Sequence, residues 1–251
     1  MIKVIISGCN GKMGTVISKL ALNDEDVKVV AGFDINTTKN FDYEVFENPA
    51  DYKEKADVII DFSHPSMFEK IIGYAVETST PVVVATTGLS DEQKESLNKV
   101  SEKTGVFFSA NMSIGINLLM ELCKKASETL GLAFDVEIIE KHHNKKLDAP
   151  SGTALMIADA IASEREESEY VYDRHSVRKA RESKEIGIHA IRGGTIVGEH
   201  EAIFAGENEI VTISHSAASR EIFATGALRA AVYLAKKDNG LYNMTDMIEG
   251  K

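Results

Sequence analysis

Residues 141–153 read Lys-His-His-Asn-Lys-Lys-Leu-Asp-Ala-Pro-Ser-Gly-Thr, and this segment has the residue types of an anion-handling site. Five basic-type side chains occupy the six positions Lys141-His142-His143-Asn144-Lys145-Lys146, in a chain whose formal net charge is -11. A cationic cluster in an otherwise acidic protein focuses field on an anion, and histidine is the side chain that exchanges protons near neutrality. Pro150 and Ser151 then read as a helix start. Ser151, Gly152 and Thr153 would offer hydroxyls and unpaired backbone N–H groups to a carboxylate. Two anion-binding devices so close together point to a small substrate with two carboxylates. The competing reading is a solvated surface loop, which composition alone does not reject. A zinc site is not expected, because no third ligand sits at ligand spacing and adjacent histidines in an extended segment point opposite ways. Asp148 reads as a structural partner of the loop backbone or of Lys146.

A second chemical motif lies at the amino terminus. The apolar run Val4-Ile5-Ile6 enters Gly8-Cys9-Asn10-Gly11-Lys12-Met13-Gly14, and an amphipathic helix begins inside that turn. Glycines there permit a tight turn, close backbone approach to a pyrophosphate and close helix-on-strand packing, while the first-turn N–H groups receive the anion. The second glycine falls one position later than in the commonest fingerprint, with Asn10 in its place. Asp34 ends the next apolar run, 20 residues past Gly14. An acid there accepts hydrogen bonds from ribose hydroxyls, favouring NAD, and repels a 2′-phosphate. Lys12 could offset that repulsion and permit NADP as well, or be a solvated lysine.

These motifs need a framework. From Ile2 to about Ser109, short apolar runs (Val4-Ile5-Ile6, Val27 to Phe33, Val58-Ile59-Ile60, Val82-Val83-Val84, Val106-Phe107-Phe108) alternate with segments of helical period. Strands apolar throughout imply burial on both faces, hence a Rossmann-like, doubly wound parallel sheet. A helix from Ile114 to Thr129 leads to a strand, Ala133 to Glu140, a loop from His142 to Pro150 and a helix over 153–163. The charged stretch 164–185 reads as an exposed excursion. Ile186 to Ile191, Ile196 to Ala205 and Ile210 to His215 read as an antiparallel meander, and a helix closes over 220–235. The expected class is therefore α/β, with a dinucleotide-binding domain of 1–112 and 221–251. An α+β domain of 113–220, with a mostly antiparallel open sheet, would bind substrate.

Acidity argues against nucleic-acid or membrane partners. The two cysteines, Cys9 and Cys123, form no CxxC pair and suggest a reducing, cytoplasmic setting. The apolar segment after Met1 is too short for a signal peptide or a spanning helix.

Taken together, Gly8 to Gly14, Ala85-Thr86-Thr87-Gly88, Ser109 to Ser113, Glu140 to Leu155, Ile196 to His200, and His215 with Ser219-Arg220 and Phe223-Ala224 resemble one family over essentially the whole chain. That family is 4-hydroxy-tetrahydrodipicolinate reductase, the dihydrodipicolinate reductase of the diaminopimelate route to lysine. The resemblance implies a cytoplasmic, NAD(P)H-dependent oxidoreductase assembled as a homotetramer through the sheets of its second lobe, with hinges near Met112 and Arg220. It implies His142 as general acid or base, Lys146 as proton donor, and His143, Gly152 and Thr153 as ligands of the substrate carboxylates, to which the helix-start reading adds Ser151. For the cofactor it implies Gly8, Cys9, Asn10, Gly11, Lys12, Met13, Asp34, Ala85, Thr86, Thr87, Ser109, Ala110, Asn111 and Met112. Ala85 stands where many members carry glycine. A reading from another class is a dinucleotide-sensing regulatory protein without turnover, which would bind NADH and never oxidise it.

Overall fold

The structure, a computed structural model, describes all 251 residues. By internal contacts the chain divides into two compact units, Met1–Ile114 with Glu221–Lys251, and Gly115–Arg220.

The first unit opens β1 (Ile2–Ser7), α1 (Lys12–Ala21), β2 (Val27–Phe33), β3 (Glu44–Phe46), β4 (Val58–Asp61), α2 (Phe68–Thr78), β5 (Val82–Val84), α3 (Asp91–Ser101) and β6 (Gly105–Phe108). Its later segment adds α6 (Glu221–Leu234), β12 (Gly240–Tyr242) and α7 (Met244–Glu249). The strands form one seven-stranded sheet in the order β12-β6-β5-β4-β1-β2-β3, every pairing parallel. Successive side chains of a strand face opposite ways, so the apolar runs feed two cores. Val4, Ile6, Val58 and Ile60 pack with Ile17 and Ala21 of α1 and with Ala224, Ala227, Ala230, Ala231 and Leu234 of α6. Ile5, Ile59, Val82 and Val84 pack on the other face with Phe68, Ile71 and Ala75 of α2 and with Leu97 and Val100 of α3. This is the doubly wound arrangement the unbroken apolar strands require. Strands β3 and β12 were not expected; each has three residues, too few to show a period, and each lies at a sheet edge.

The second unit holds α4 (Ile114–Leu130, beginning at the boundary), β7 (Asp135–His142), α5 (Gly152–Ala162), β8 (Glu169–Val171), β9 (Glu185–Arg192), β10 (Gly198–Ala205) and β11 (Ile210–Ala217). Its sheet order is β11-β10-β7-β9-β8, with β10 antiparallel to both β11 and β7, and β9 parallel to both β7 and β8. Alternate residues of β7 and β10 are buried. Val136, Ile138, Ala202 and Phe204 pack against Leu119 and Cys123 of α4 and Ala154, Ile157, Ala158 and Ile161 of α5.

One expectation for this unit is corrected and a second is extended. The meander is not continuous, because β10 and β11 pair but β7 lies between β9 and β10. The Gly193-Gly194 connection passes over the end of β7, with Gly193 N–H donating to His142 C=O at 2.9 Å and Asn144 N–H to Gly194 C=O at 3.3 Å. A glycine pair close to a strand end mimics a hairpin signal in the sequence; Gly194, at φ +47°, instead serves a crossover. The stretch 164–185 is largely exposed, as expected, yet it is tied to the sheet. It carries β8, Arg165 donates to Gly131 C=O and Phe134 C=O at 3.2 and 3.1 Å, and Arg181 donates to Val136 C=O at 3.2 Å. Arginines in a charged run read as solvated, but here they satisfy carbonyls at the sheet end.

Candidate active site

In the first unit the sequence-predicted residues gather at the carboxyl ends of the parallel strands. Strand order reverses between β1 and β4, the switch point at which open α/β sheets bind ligands. Gly8 follows β1 with φ +75°, and a Cβ there would lie 2.7 Å from Phe62 C=O, so only glycine fits. A Cβ on Gly14 would lie 2.1 Å from Gly8 C=O, which shows how tightly α1 sits on the turn. Gly11 caps α1 without a side-chain hydrogen bond, so no side chain occupies the helix end. A side chain at Gly8 or Gly14 would force this turn apart, and the close turn with a bare helix start suits an anionic group such as a dinucleotide pyrophosphate.

Asn10 does not take over a glycine's role. Its Nδ2 donates to Asn36 C=O at 2.6 Å and Thr38 C=O at 2.8 Å, and its Oδ1 accepts from Asn40 at 2.9 Å, tying the 36–40 loop to the turn. Asp34 accepts from Asn10 N–H and Asn36 N–H, each at 3.0 Å. It therefore caps its own turn, and each carboxylate oxygen keeps a further lone pair. Lys12 is exposed at the first position of α1, Met13 is half-buried beside it and Cys9 is buried beneath the turn. Burial, then the charge of Asp34, pushes the Cys9 thiol up to about 11.

Ala85 and Thr86 are buried after β5 and Thr87 is exposed. Thr86 Oγ1 donates at 2.8 Å to Asp61, a carboxylate 1% exposed that also accepts Ser63 N–H at 3.1 Å. Asp61, which the sequence reading did not single out, anchors this loop. It ends β4 as Asp34 follows β2, and that repetition was the available signal. Past β6, Ser109 Oγ donates to Asn111 C=O at 2.8 Å, and Asn111 Oδ1 accepts Ser113 N–H at 2.9 Å. Ala110 is exposed between them and Met112 is buried.

In the second unit, His142 is the last residue of β7 rather than the first of a loop, and it points inward with Val136, Ile138 and Glu140. Its Nδ1 lies 2.7 Å from Glu140 Oε2. Ser151 caps α5, with Oγ accepting Ala154 N–H at 3.2 Å, and its own N–H donates to Glu140 Oε1 at 2.9 Å. The imidazole and the helix start are thus anchored on one carboxylate. Gly152 is exposed, with open space where a Cβ would stand, and Thr153 is half-buried behind it. Lys146 bridges to Asp148 at 2.8 Å, and that ammonium holds the Asp148 carboxyl below its usual range. His143, by strand alternation, turns from His142; its Nε2 lies 3.3 Å from an Arg220 nitrogen and its Nδ1 is buried without a partner.

The structure adds Glu140, Arg192, His200 and His215 to the site. Arg192 grips both oxygens of Glu140 at 2.7 Å. Burial alone would raise the Glu140 carboxyl, but the bonds from Arg192, His142 and Ser151 overcome it and hold the group below its ordinary value. His200 stands opposite Glu140 on one side and His215 on the other. Its Nε2 is 3.1 Å from Ser151 Oγ, and its ring meets His142 edge-on with centroids 5.2 Å apart. Burial, and then the neighbouring His142, lower His200 to about 4, so it is neutral at pH 7. A glutamate on the inward phase of an otherwise apolar strand was the sequence signal for this cluster.

Comparison with known proteins places the chain in a family. Residues 2–112 match the model of the dihydrodipicolinate reductase N-terminus and residues 115–248 that of its C-terminus. The chain is 53% identical over 250 residues to the 4-hydroxy-tetrahydrodipicolinate reductase of Caldanaerobacter subterraneus subsp. tengcongensis, covering 99% of each. It is 50% identical over 252 residues to that of Clostridium novyi, covering 100% of each. A dipicolinate-bound dihydrodipicolinate reductase from Paenisporosarcina sp. TG-14 is similar in structure, with a TM-score of 0.82 at 29% identity over 97% of both chains. With both halves matched and relatives of this identity spanning its full length, the chain belongs to the dihydrodipicolinate reductase family.

Proposed function

We propose that the chain is a 4-hydroxy-tetrahydrodipicolinate reductase, converting (2S,4S)-4-hydroxy-2,3,4,5-tetrahydrodipicolinate to (S)-2,3,4,5-tetrahydrodipicolinate on the diaminopimelate route to lysine. The observation that carries the reading is the anchoring of His142 and the Ser151 helix start on Glu140, with Lys146 in the connecting loop. It joins a proton-exchanging imidazole to a carboxylate-binding helix end, as a cyclic dicarboxylate requires. The Paenisporosarcina reductase binds dipicolinate, a planar ring of that class.

When bound, a reduced nicotinamide dinucleotide supplies the hydride. Gly8 to Met13 would hold its pyrophosphate, Asp34 its ribose, and Ala85 to Thr87 with Ser109 to Met112 would line the rest. Asp34 favours NADH, and Lys12 at the start of α1 extends use to NADPH. In the second unit, Ser151, Gly152 and Thr153 hold one substrate carboxylate at the α5 start and His143 helps hold the other. His142 acts as general acid or base and Lys146 delivers a proton to the ring. The face of the second unit's sheet turned away from α4 and α5 is the surface we assign to a homotetramer, and the cytoplasm is the compartment. The test is a coupled assay with aspartate semialdehyde, pyruvate and the preceding synthase, run separately with NADH and NADPH. Oxidation of the reduced nicotinamide is expected. Binding of NADH without oxidation under any of these conditions would favour a sensor instead.

A further inference from the structure

Glu140 is completely buried, yet it is an acid on the inward phase of a β-strand. All its acceptor positions are used. Oε2 receives His142 Nδ1 and Arg192 Nη1, and Oε1 receives Arg192 Nη2 and Ser151 N–H, at 2.7 to 2.9 Å. Arg192 also donates to Asp148 C=O at 2.6 Å, fastening the loop that carries Lys146 to the same guanidinium. An ionised carboxylate only accepts hydrogen bonds. The His142 nitrogen facing it must therefore carry a proton, which leaves Nε2 of the neutral ring as a bare acceptor.

An independent feature concerns that second nitrogen. A Cβ on Gly198, the first residue of β10, would stand 3.1 Å from His142 Nε2. Gly198 has no positive φ to explain it, and the missing side chain leaves space beside Nε2.

We infer that Glu140 is a positioning residue for the reduction: it fixes His142 as the Nδ1–H tautomer, makes Nε2 the proton-exchanging atom, and holds that ring in register with the α5 start that receives the substrate carboxylate. The inference rests on the reductase reading and deepens it. The logic is that of a buried acid orienting a catalytic imidazole, where exchanging aspartate for asparagine preserves geometry and lowers kcat about 10⁴-fold through the wrong tautomer.

The direct test is spectroscopic and uses the intact protein. In ¹⁵N-histidine-labelled chain, with His142 assigned by comparison with His142→Asn, the neutral ring is expected to show a protonated Nδ1 and a bare Nε2. A protonated Nε2 would overturn the inference. Glu140→Gln turns an amide N–H toward Nδ1 and reverses the tautomer, while its remaining oxygen still accepts Ser151 N–H. Its kcat should fall about 10²-fold or more, with substrate KM and NADH affinity within about threefold. A folded variant that keeps its kcat, or whose loss falls wholly on KM, would refute positioning. Should the variant not fold, the wild-type tautomer decides. Because that readout needs no turnover, absence of reductase activity would defeat the reductase reading while the His142 tautomer set by Glu140 is still decided.

Discussion

His200 makes the stability of this protein depend on pH in a calculable way. The residue is 5% exposed and, through burial and then the neighbouring His142, is pushed down to about 4 from the ordinary 6.5. As pH falls from neutrality, the unfolded chain therefore takes up the proton first, and folding stability declines between 6.5 and 4. For that separation the loss relative to neutral pH is about 2 kcal/mol at pH ~5 and about 3 kcal/mol once both states are protonated. Other groups titrate in the same range, so the contribution is read as a difference. His200→Gln keeps a nitrogen near Ser151 Oγ and removes the titration. Urea denaturation followed by circular dichroism, at pH ~7.5 and pH ~5, should show wild type losing about 2 kcal/mol more than the variant on acidification. Parallel losses would mean that His200 is not held neutral by its surroundings, and the account of the histidine cluster would fail with it.

Further outcomes follow from the two units separately. His142→Ala and Lys146→Ala should each lower kcat about 10²- to 10⁴-fold while NADH affinity, measured by calorimetry, stays near wild type; equal loss of NADH binding would make the loop structural. Asp34→Ala should weaken NADH roughly tenfold and NADPH less, as read from KM for each cofactor, and an unchanged preference would defeat the ribose assignment. Gly14→Ala places a Cβ 2.1 Å from Gly8 C=O and should cost at least about 3 kcal/mol in denaturant unfolding along with most dinucleotide affinity. A stable variant with normal NADH binding would show that α1 can lift off the turn without consequence.

The first unit was largely legible because its signals are local. Five apolar runs without alternation define a parallel sheet, and the glycines between Ser7 and Thr15 announce the turn. What escaped was what local pattern cannot encode. Strands β3 and β12 exist because an edge accepts three more residues, and Asn10 fastens a loop about 26 positions away in sequence. Asp34, expected as a ribose ligand, is seen as a turn cap, a role that leaves each oxygen a further lone pair.

The second unit shows the opposite balance. Its candidate site residues stood out in the sequence and their connections did not, because these run between strands that are neighbours only after folding. β7 takes the centre of the sheet, with β9 parallel on one side and β10 antiparallel on the other, and this insertion breaks the apparent meander. The same insertion places Arg192 at the end of β9 and His200 on β10 on either side of Glu140. A true β9-β10 hairpin would remove β7 from between them, leaving Glu140 a buried charge with its guanidinium elsewhere, a loss of about 3–5 kcal/mol for an unpaired buried ion. The strand order and the ionised state of Glu140 therefore select each other. The observed topology, with β7 between β9 and β10, is the one that lets a single carboxylate orient the imidazole and seat the helix end.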